Sequence, residues 1–176
     1  MRRAAVFGTT GSGKSWLAER LAGQAGLRVI ELDALYWGRG WQPVPLELFR
    51  HRVERETVGN GWIVVGNYGQ VRDLVWKPAD TLIWLDLPLP LVMSRLVRRT
   101  VKRVATREEL WDTGNRETIA NTFFSRDSIL LWALRTHRLN RTRFARDCQG
   151  LSTEKRIVRL QSRREIEDFL KGRNRG

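Results

Sequence analysis

Residues 8–15 read Gly-Thr-Thr-Gly-Ser-Gly-Lys-Ser, and their types and spacing suit the capture of phosphate. Gly8, Gly13, Lys14 and Ser15 fill the fixed positions of the pattern G-x-x-x-x-G-K-[ST], with Thr9, Thr10, Gly11 and Ser12 between them. Glycines let a backbone wrap an anion and turn successive N–H groups inward. A helix starting there adds the positive end of its dipole. Lys14 can then reach the outer phosphates, and the Ser15 hydroxyl can ligate Mg²⁺. All eight positions are candidates for holding a nucleotide, with Lys14 expected on an exposed loop rim.

This chemistry needs a strand running into the loop and a helix running out of it. Arg3-Ala4-Ala5-Val6-Phe7 is a short apolar run that reads as a buried strand, and Leu17 and Leu21 stand at i, i+4 in the segment after Ser15. Further strands are expected at Leu27–Leu32, Trp62–Val65, Thr81–Leu85 and Arg156–Leu160. Helices are expected from Pro45 to about Val58 with Leu46, Phe49 and Val53 on one face, from Asp73 to Lys77, from Leu89 to about Val104, from Glu117 to His137, and after a Ser162/Glu165 cap. Thr106 with Glu109 reads as one more capping box, and Trp111, Phe123, Phe124 and Trp132 as packing residues of the helices near them. Strands separated by helices predict an α/β fold, three layers around a central five-stranded parallel sheet. One domain is expected over 1–171, with a helical lid insertion over about 95–146 and a flexible tail at 172–176.

In such sheets ligands bind beyond the carboxyl ends of the strands. The second strand delivers Asp33, Trp37 and Trp41 to that rim, the third Gly66, Asn67, Tyr68 and then Arg72, and the fourth Asp86. Asp33 is the only carboxylate expected early enough on the rim to face an acceptor hydroxyl, as a general base. Mg²⁺ held through water and a simple turn cap are its alternatives. Trp37, Trp41, Gly66, Asn67, Tyr68 and Arg72 are the accompanying acceptor-binding candidates. Asp86, before Pro-x-Pro, is expected to be structural.

Charge sharpens the picture. The chain has 176 residues and a formal charge of +13. Residues 95–146 hold 13 Lys/Arg against 5 Asp/Glu, a net +8, which points to a local anionic partner. Arg95, Arg98, Arg99 and Lys102 recur every three or four positions and share much of a helix face. Arg95 and Arg99 are candidates for stabilising a transferring phosphoryl group, and a solvated basic face is the alternative. Apolar residues make up 41%, ordinary for a globular core, and no long uncharged apolar stretch suggests a membrane span. Met1-Arg2-Arg3 is expected to lead directly into the first strand and not into a cleaved leader. Cys148 is the only cysteine, expected as a small buried hydrophobe in a reducing cytoplasm.

The phosphate loop, Leu32-Asp33 with Trp37 and Trp41, Gly66-Asn67-Tyr68, the Thr81–Pro88 segment and the arginine-rich stretch after it resemble the adenylate-kinase-like P-loop kinases. Within them the narrower likeness is to the topology modulation (FlaR-type) proteins, over about residues 1–165. The resemblance implies ATP and Mg²⁺ as cofactors, a nucleoside or nucleotide acceptor, and an arginine-bearing lid. One departure stands out. Those relatives usually carry Asp before the Gly-Asn-Tyr segment, an acid that supports Mg²⁺ through water, and this chain carries Val65, which shifts weight to Ser15 and Asp33. The expected activity is ATP-dependent phosphoryl transfer to a small-molecule acceptor. A nucleic-acid binder or polynucleotide kinase, recognisable by steep salt dependence, and a slow nucleotide-dependent switch remain the alternatives.

Overall fold

The computed structural model of the chain describes residues 1–106, 109–110, 115–116, 129–151 and 155–172. Five parallel strands form one sheet: β1 (Arg3–Gly8), β2 (Arg28–Glu31), β3 (Trp62–Val65), β4 (Thr81–Leu85) and, after a second small sheet, β7 (Arg156–Leu160). Their order across the sheet is β2-β3-β1-β4-β7. The three inner strands are buried on both faces, which is why they read as continuous apolar runs. The small sheet pairs β5 (Glu109–Leu110) antiparallel with β6 (Asn115–Arg116) inside the expected lid.

Helices cover both faces and complete the three layers. On one side α1 (Lys14–Ala25), α5 (Leu89–Thr106) and α7 (Arg163–Leu170) bury Leu17, Leu21, Val92 and Ile166 against Val6, Ile63 and Ile83. On the other, α3 (Leu46–Glu56), α4 (Arg72–Trp76) and α6 (Ile129–Gln149) bury Phe49, Val53, Val75, Phe144 and Cys148 against Phe7, Trp62 and Trp84. Burial pushes the Cys148 thiol up to about 11, so it packs as a neutral group. A five-residue helix, α2 (Leu32–Tyr36), follows β2 directly.

Several sequence expectations change. The second strand stops at Glu31, so Leu32 and Asp33 lie in the first turn of α2. Leu46 opens α3 and, as its first residue, is 47% exposed, whereas Phe49 and Val53 further along the same face are fully buried. Thr106 starts no helix: it is the last residue of α5, and its hydroxyl donates back to the Lys102 carbonyl at 3.0 Å. The long helix runs past His137 to Gln149. Its inner face uses His137 and Arg141 as well as apolar residues, which hides its period. The proposed start at Glu117, with Trp111, Phe123 and Phe124, lies outside the described residues, as does the tail beyond Gly172. Gly172 itself, with φ +69°, donates its N–H to the Phe169 carbonyl and closes α7. The Ser162 cap forms as expected, its hydroxyl accepting from the Glu165 N–H.

Asp86 joins the insertion to the sheet. Its carboxylate, 3% exposed, accepts from Arg141 on α6 at 3.0 Å, from Arg159 on β7 at 2.5 Å and from the Gln161 amide at 3.2 Å. The Arg159 guanidinium also lies 4.4 Å from the Trp84 ring centre. Asp86→Ala is expected to lower stability by about 2 kcal/mol, less than for a fully enclosed pair because both guanidinium groups remain 42–49% exposed. Urea unfolding of the variant against the parent protein checks this.

Candidate active site

The glycine loop spans the turn from β1 to α1. Gly8, Gly11 and Gly13 take φ of +148°, +79° and +92°. A Cβ on Gly8 would stand 2.5 Å from the Leu85 carbonyl, and one on Gly11 2.9 Å from the Val92 carbonyl. Side chains at these positions would prevent the loop from closing. Asn67, at the end of β3, grips the loop's first residue from both sides: it accepts from the Gly8 N–H at 3.0 Å and donates to the Gly8 carbonyl at 2.5 Å. Gly66 is required for packing, since its φ is +143° and a Cβ would meet Leu32 at 2.8 Å. Of the acceptor-binding candidates, these two are thus engaged in shaping the loop and its support.

Lys14 is half-buried and not on an exposed rim. It folds back to donate to the Gly8 and Thr9 carbonyls at 3.1 and 3.2 Å. Burial, opposed by Asp33 and reinforced by Arg99, holds its pKa down at about 8. Ser15, the next residue, is exposed and hydrogen-bonds to the Glu31 carboxylate. Burial raises the Glu31 pKa, with the Ser15 bond and Lys14 opposing and Asp33 adding to the rise. Glu31 is the site residue that the sequence reading missed. It ends β2 opposite Val65 of β3, so the rim carries an acid one strand over from the position where the resemblance led one to look. The signal was a carboxylate at a strand end, obscured because the expected strand runs one residue past it, to Leu32.

Cations reach the loop from α5. The Arg95 Nη1 donates to the Ser12 carbonyl at 3.0 Å, and the missing side chain at Gly13 leaves room for it. Burial lowers the Arg95 pKa, and Arg163 at the start of α7 lowers it further. Arg99 stands close enough to Lys14 to depress its pKa. Arg98 and Lys102 are exposed. The donor set therefore fits a nucleotide with its metal: an ammonium, two guanidinium groups, a glycine-rich backbone, and a hydroxyl beside a carboxylate. The buried Ser12 hydroxyl under this loop has no hydrogen-bond partner among the described residues.

Of the acceptor-binding candidates, Asp33 lies close enough to Lys14 to act on its pKa. The Tyr68 hydroxyl donates to Asp33 Oδ1 at 2.5 Å, and Trp37 hydrogen-bonds to Tyr68. Burial and the Asp33 charge raise the Tyr68 pKa far above its ordinary value, so the phenol keeps its proton. Trp41 packs edge-on against Trp37 with ring centres 5.9 Å apart. Arg72 pairs with Asp147 of α6 and lies 4.6 Å from the Trp76 ring centre. It borders a recess with Phe7, Asn67, Tyr68, Trp76 and Phe144. Arg143, absent from the sequence candidates, joins it: its Nε lies 3.9 Å from Asp147, and its Nη2 lies 3.0 Å from where a Gly69 Cβ would stand.

No family model matches the chain, and no curated protein matches it in sequence. Solved structures do match its shape. An unliganded sugar kinase from a Janibacter species superposes with a TM-score of 0.53 at 19% identity, covering 97% of this chain and 93% of that one. A gluconokinase from Sinorhizobium meliloti gives 0.53 at 19%, covering 97% and 91%. A shikimate kinase from Bacteroides thetaiotaomicron gives 0.54 at 13%, covering 97% and 94%. The fold is that of the P-loop kinases.

The depressed Lys14 gives a test of the loop. Phosphate oxygens favour the charged ammonium, so ATP binding is expected to take up a proton as the pKa rises from about 8 towards its ordinary 10.5. The complex then binds more protons than the free protein. Affinity is expected to stay level below pH 8 and to fall above it, by up to about tenfold per pH unit. Calorimetric titration across pH 7–10 in buffers of different ionisation enthalpy checks both the slope and the proton uptake.

Proposed function

We propose that this protein is an ATP-dependent kinase of the adenylate-kinase-like type that phosphorylates a small anionic acceptor, with a nucleotide as the first candidate. The observation that carries the proposal is the convergence of Lys14, Arg95 and Arg99 on one glycine loop, with Asp33 of α2 close enough to act on Lys14. Phosphoryl transfer leaves a protein little covalent work, and cations fixed around the transferring group supply most of the catalysis. The likeness of the Leu32-Asp33, Trp37, Trp41 and Gly66-Asn67-Tyr68 segments to the topology modulation proteins supports the same class.

The roles follow from position. The loop N–H groups of residues 8–15 cradle the phosphates, and Lys14 exchanges its carbonyl partners for phosphate oxygens. Ser15 would hold Mg²⁺, with the Glu31 carboxylate hydrogen-bonded beside it adding negative charge. When bound, Mg²⁺ supplies charge neutralisation between the outer phosphates. Asp33 accepts the proton of the acceptor hydroxyl as that oxygen bonds to the terminal phosphorus, and the bond from phosphorus to the bridging oxygen breaks to release ADP. Arg95 and Arg99 balance the charge on the transferring group. Arg72 and Arg143 set two positive charges against one Asp147 at the recess, which favours an acceptor bearing phosphate or carboxylate over a neutral nucleoside.

Matched acceptor pairs test this. ADP release from Mg-ATP is expected to rise with AMP more than with adenosine, or with gluconate more than with glucose, with shikimate as a further carboxylate. Release unchanged by every acceptor would favour the slow switch. Lys14→Ala is expected to lose tight ATP binding while remaining folded. Asp33→Asn is expected to lower kcat by about 100-fold with little change in ATP affinity, the scale of general-base loss. A cap role predicts instead a stability loss of about 1 kcal/mol and normal turnover.

A further inference from the structure

The Tyr68 ring is wedged between helices, with its centre 4.6 Å from that of Tyr36 and 5.2 Å from that of Phe49. A phenylalanine would fill the same space. The hydroxyl is therefore what packing does not explain, and it sits between two specific partners, donating to Asp33 Oδ1 at 2.5 Å and hydrogen-bonded in turn to Trp37. Trp37 is an indole, a donor only, so the chain has one direction: Trp37 N–H to Tyr68 oxygen, Tyr68 O–H to Asp33.

The outer end of this chain is held with unusual care. The segment after α2 closes on itself through the Gly38 N–H to the Gln42 carbonyl at 2.8 Å, the Val44 N–H to the Tyr36 carbonyl at 2.9 Å and a bridge between Trp37 and Pro43. At its tip Trp41 has φ +58°, the only residue other than glycine with positive φ among those described. A bulky side chain in that region is strained and persists only where its surroundings over-determine it. The surroundings here are the closed segment and the Trp37 ring, against which Trp41 packs. The strain thus falls on the residue that backs Trp37.

We infer that Trp37 and Tyr68 are positioning residues for Asp33: the relay fixes the plane of its carboxylate so that it addresses the acceptor hydroxyl, and Trp41 fixes the relay. This rests on Asp33 acting as the general base. A carboxylate on a five-residue helix has free rotation about two side-chain bonds, and general-base catalysis requires the oxygen within hydrogen-bond reach of the proton it takes. Holding one oxygen removes that freedom without touching the nucleotide site.

The test uses the full-length protein with Mg-ATP as substrate and water standing in for the acceptor hydroxyl. Four proteins are compared: the parent, Asp33→Asn, Tyr68→Phe and the double variant. Tyr68→Phe is expected to lower kcat by about tenfold with KM for ATP unchanged, and to have no further effect in the Asp33→Asn background, the non-additivity of residues that act as a unit. A merely structural tyrosine would lower kcat by the same factor in both backgrounds, and that result overturns the relay while leaving Asp33 in place. An Asp33→Asn protein with parental kcat overturns the base and the relay together. Trp37→Phe keeps the test open if Tyr68→Phe does not fold. It removes only the indole donor, and is expected to lower kcat about threefold, again only when Asp33 is present. Unchanged kcat in Trp37→Phe counts against the relay's outer step.

Discussion

The gathering of cations at one glycine loop is the constraint on which this structure turns. Lys14, Arg95 and Arg99 meet at the glycine loop, and Arg163 approaches Arg95 from α7. Burial lowers the pKa of Lys14 and of Arg95, and Arg99 and Arg163, respectively, add to it. Such a cluster is costly, and the surrounding fold holds it together by backbone contacts. Lys14 turns to the loop's own carbonyls, and Arg95 takes the Ser12 carbonyl. These are the contacts a phosphate would displace. The proposed phosphate site is thereby held by fixed backbone contacts, the sense in which electrostatic preorganisation would lower a barrier.

Rigidity around the cluster comes from neighbouring strand ends. Asn67 clamps Gly8 from β3, and Asp86 at the end of β4 binds Arg141 and Arg159. The first contact fixes where the loop begins. The second ties α6, the far leg of the insertion, to the sheet. The insertion's near leg is α5, which carries Arg95. Both legs are therefore referred to the same parallel sheet, and the small β6 strand also meets the turn at residues 39–41 that carries Trp41. The glycine loop and the elements proposed to hold the acceptor are joined through short, specific contacts near the rim.

Much of this was legible in the sequence, for identifiable reasons. The inner strands announced themselves because two-sided burial demands unbroken apolar runs, as at Trp62–Val65. The glycine loop was legible because its geometry tolerates few substitutions. What stayed hidden was hidden by polar residues with buried partners. The second half of α6 turns His137 and Arg141 inward, to the Leu87 carbonyl and to Asp86, so a search for apolar period ends too soon. Asn67 was read as a ligand contact because nothing local reveals that its amide matches both polar groups of Gly8. Arg143 was lost among the many arginines of its helix, and only folding brings it beside Asp147 and Gly69.

Val65 and Glu31 carry the last step. An apolar residue at the end of β3 looks at first like a loss of metal support. The parallel register sets Glu31 of β2 directly opposite Val65, and Glu31 meets the Ser15 hydroxyl. Parallel strands deliver their carboxyl ends to a common rim, so an acid can move one strand sideways and still face the same hydroxyl. The move has a consequence for Asp33. With Glu31 two residues before it and charged groups on both sides, Asp33 sits in a crowded field, where a freely rotating carboxylate would turn towards Lys14. The Tyr68 hydroxyl, donating to Asp33 Oδ1 at 2.5 Å, opposes that rotation. One carboxylate at the end of β2 meets the Ser15 hydroxyl and a second, restrained by Tyr68, follows two residues later in α2, and the proposed reaction gives the two acids separate tasks.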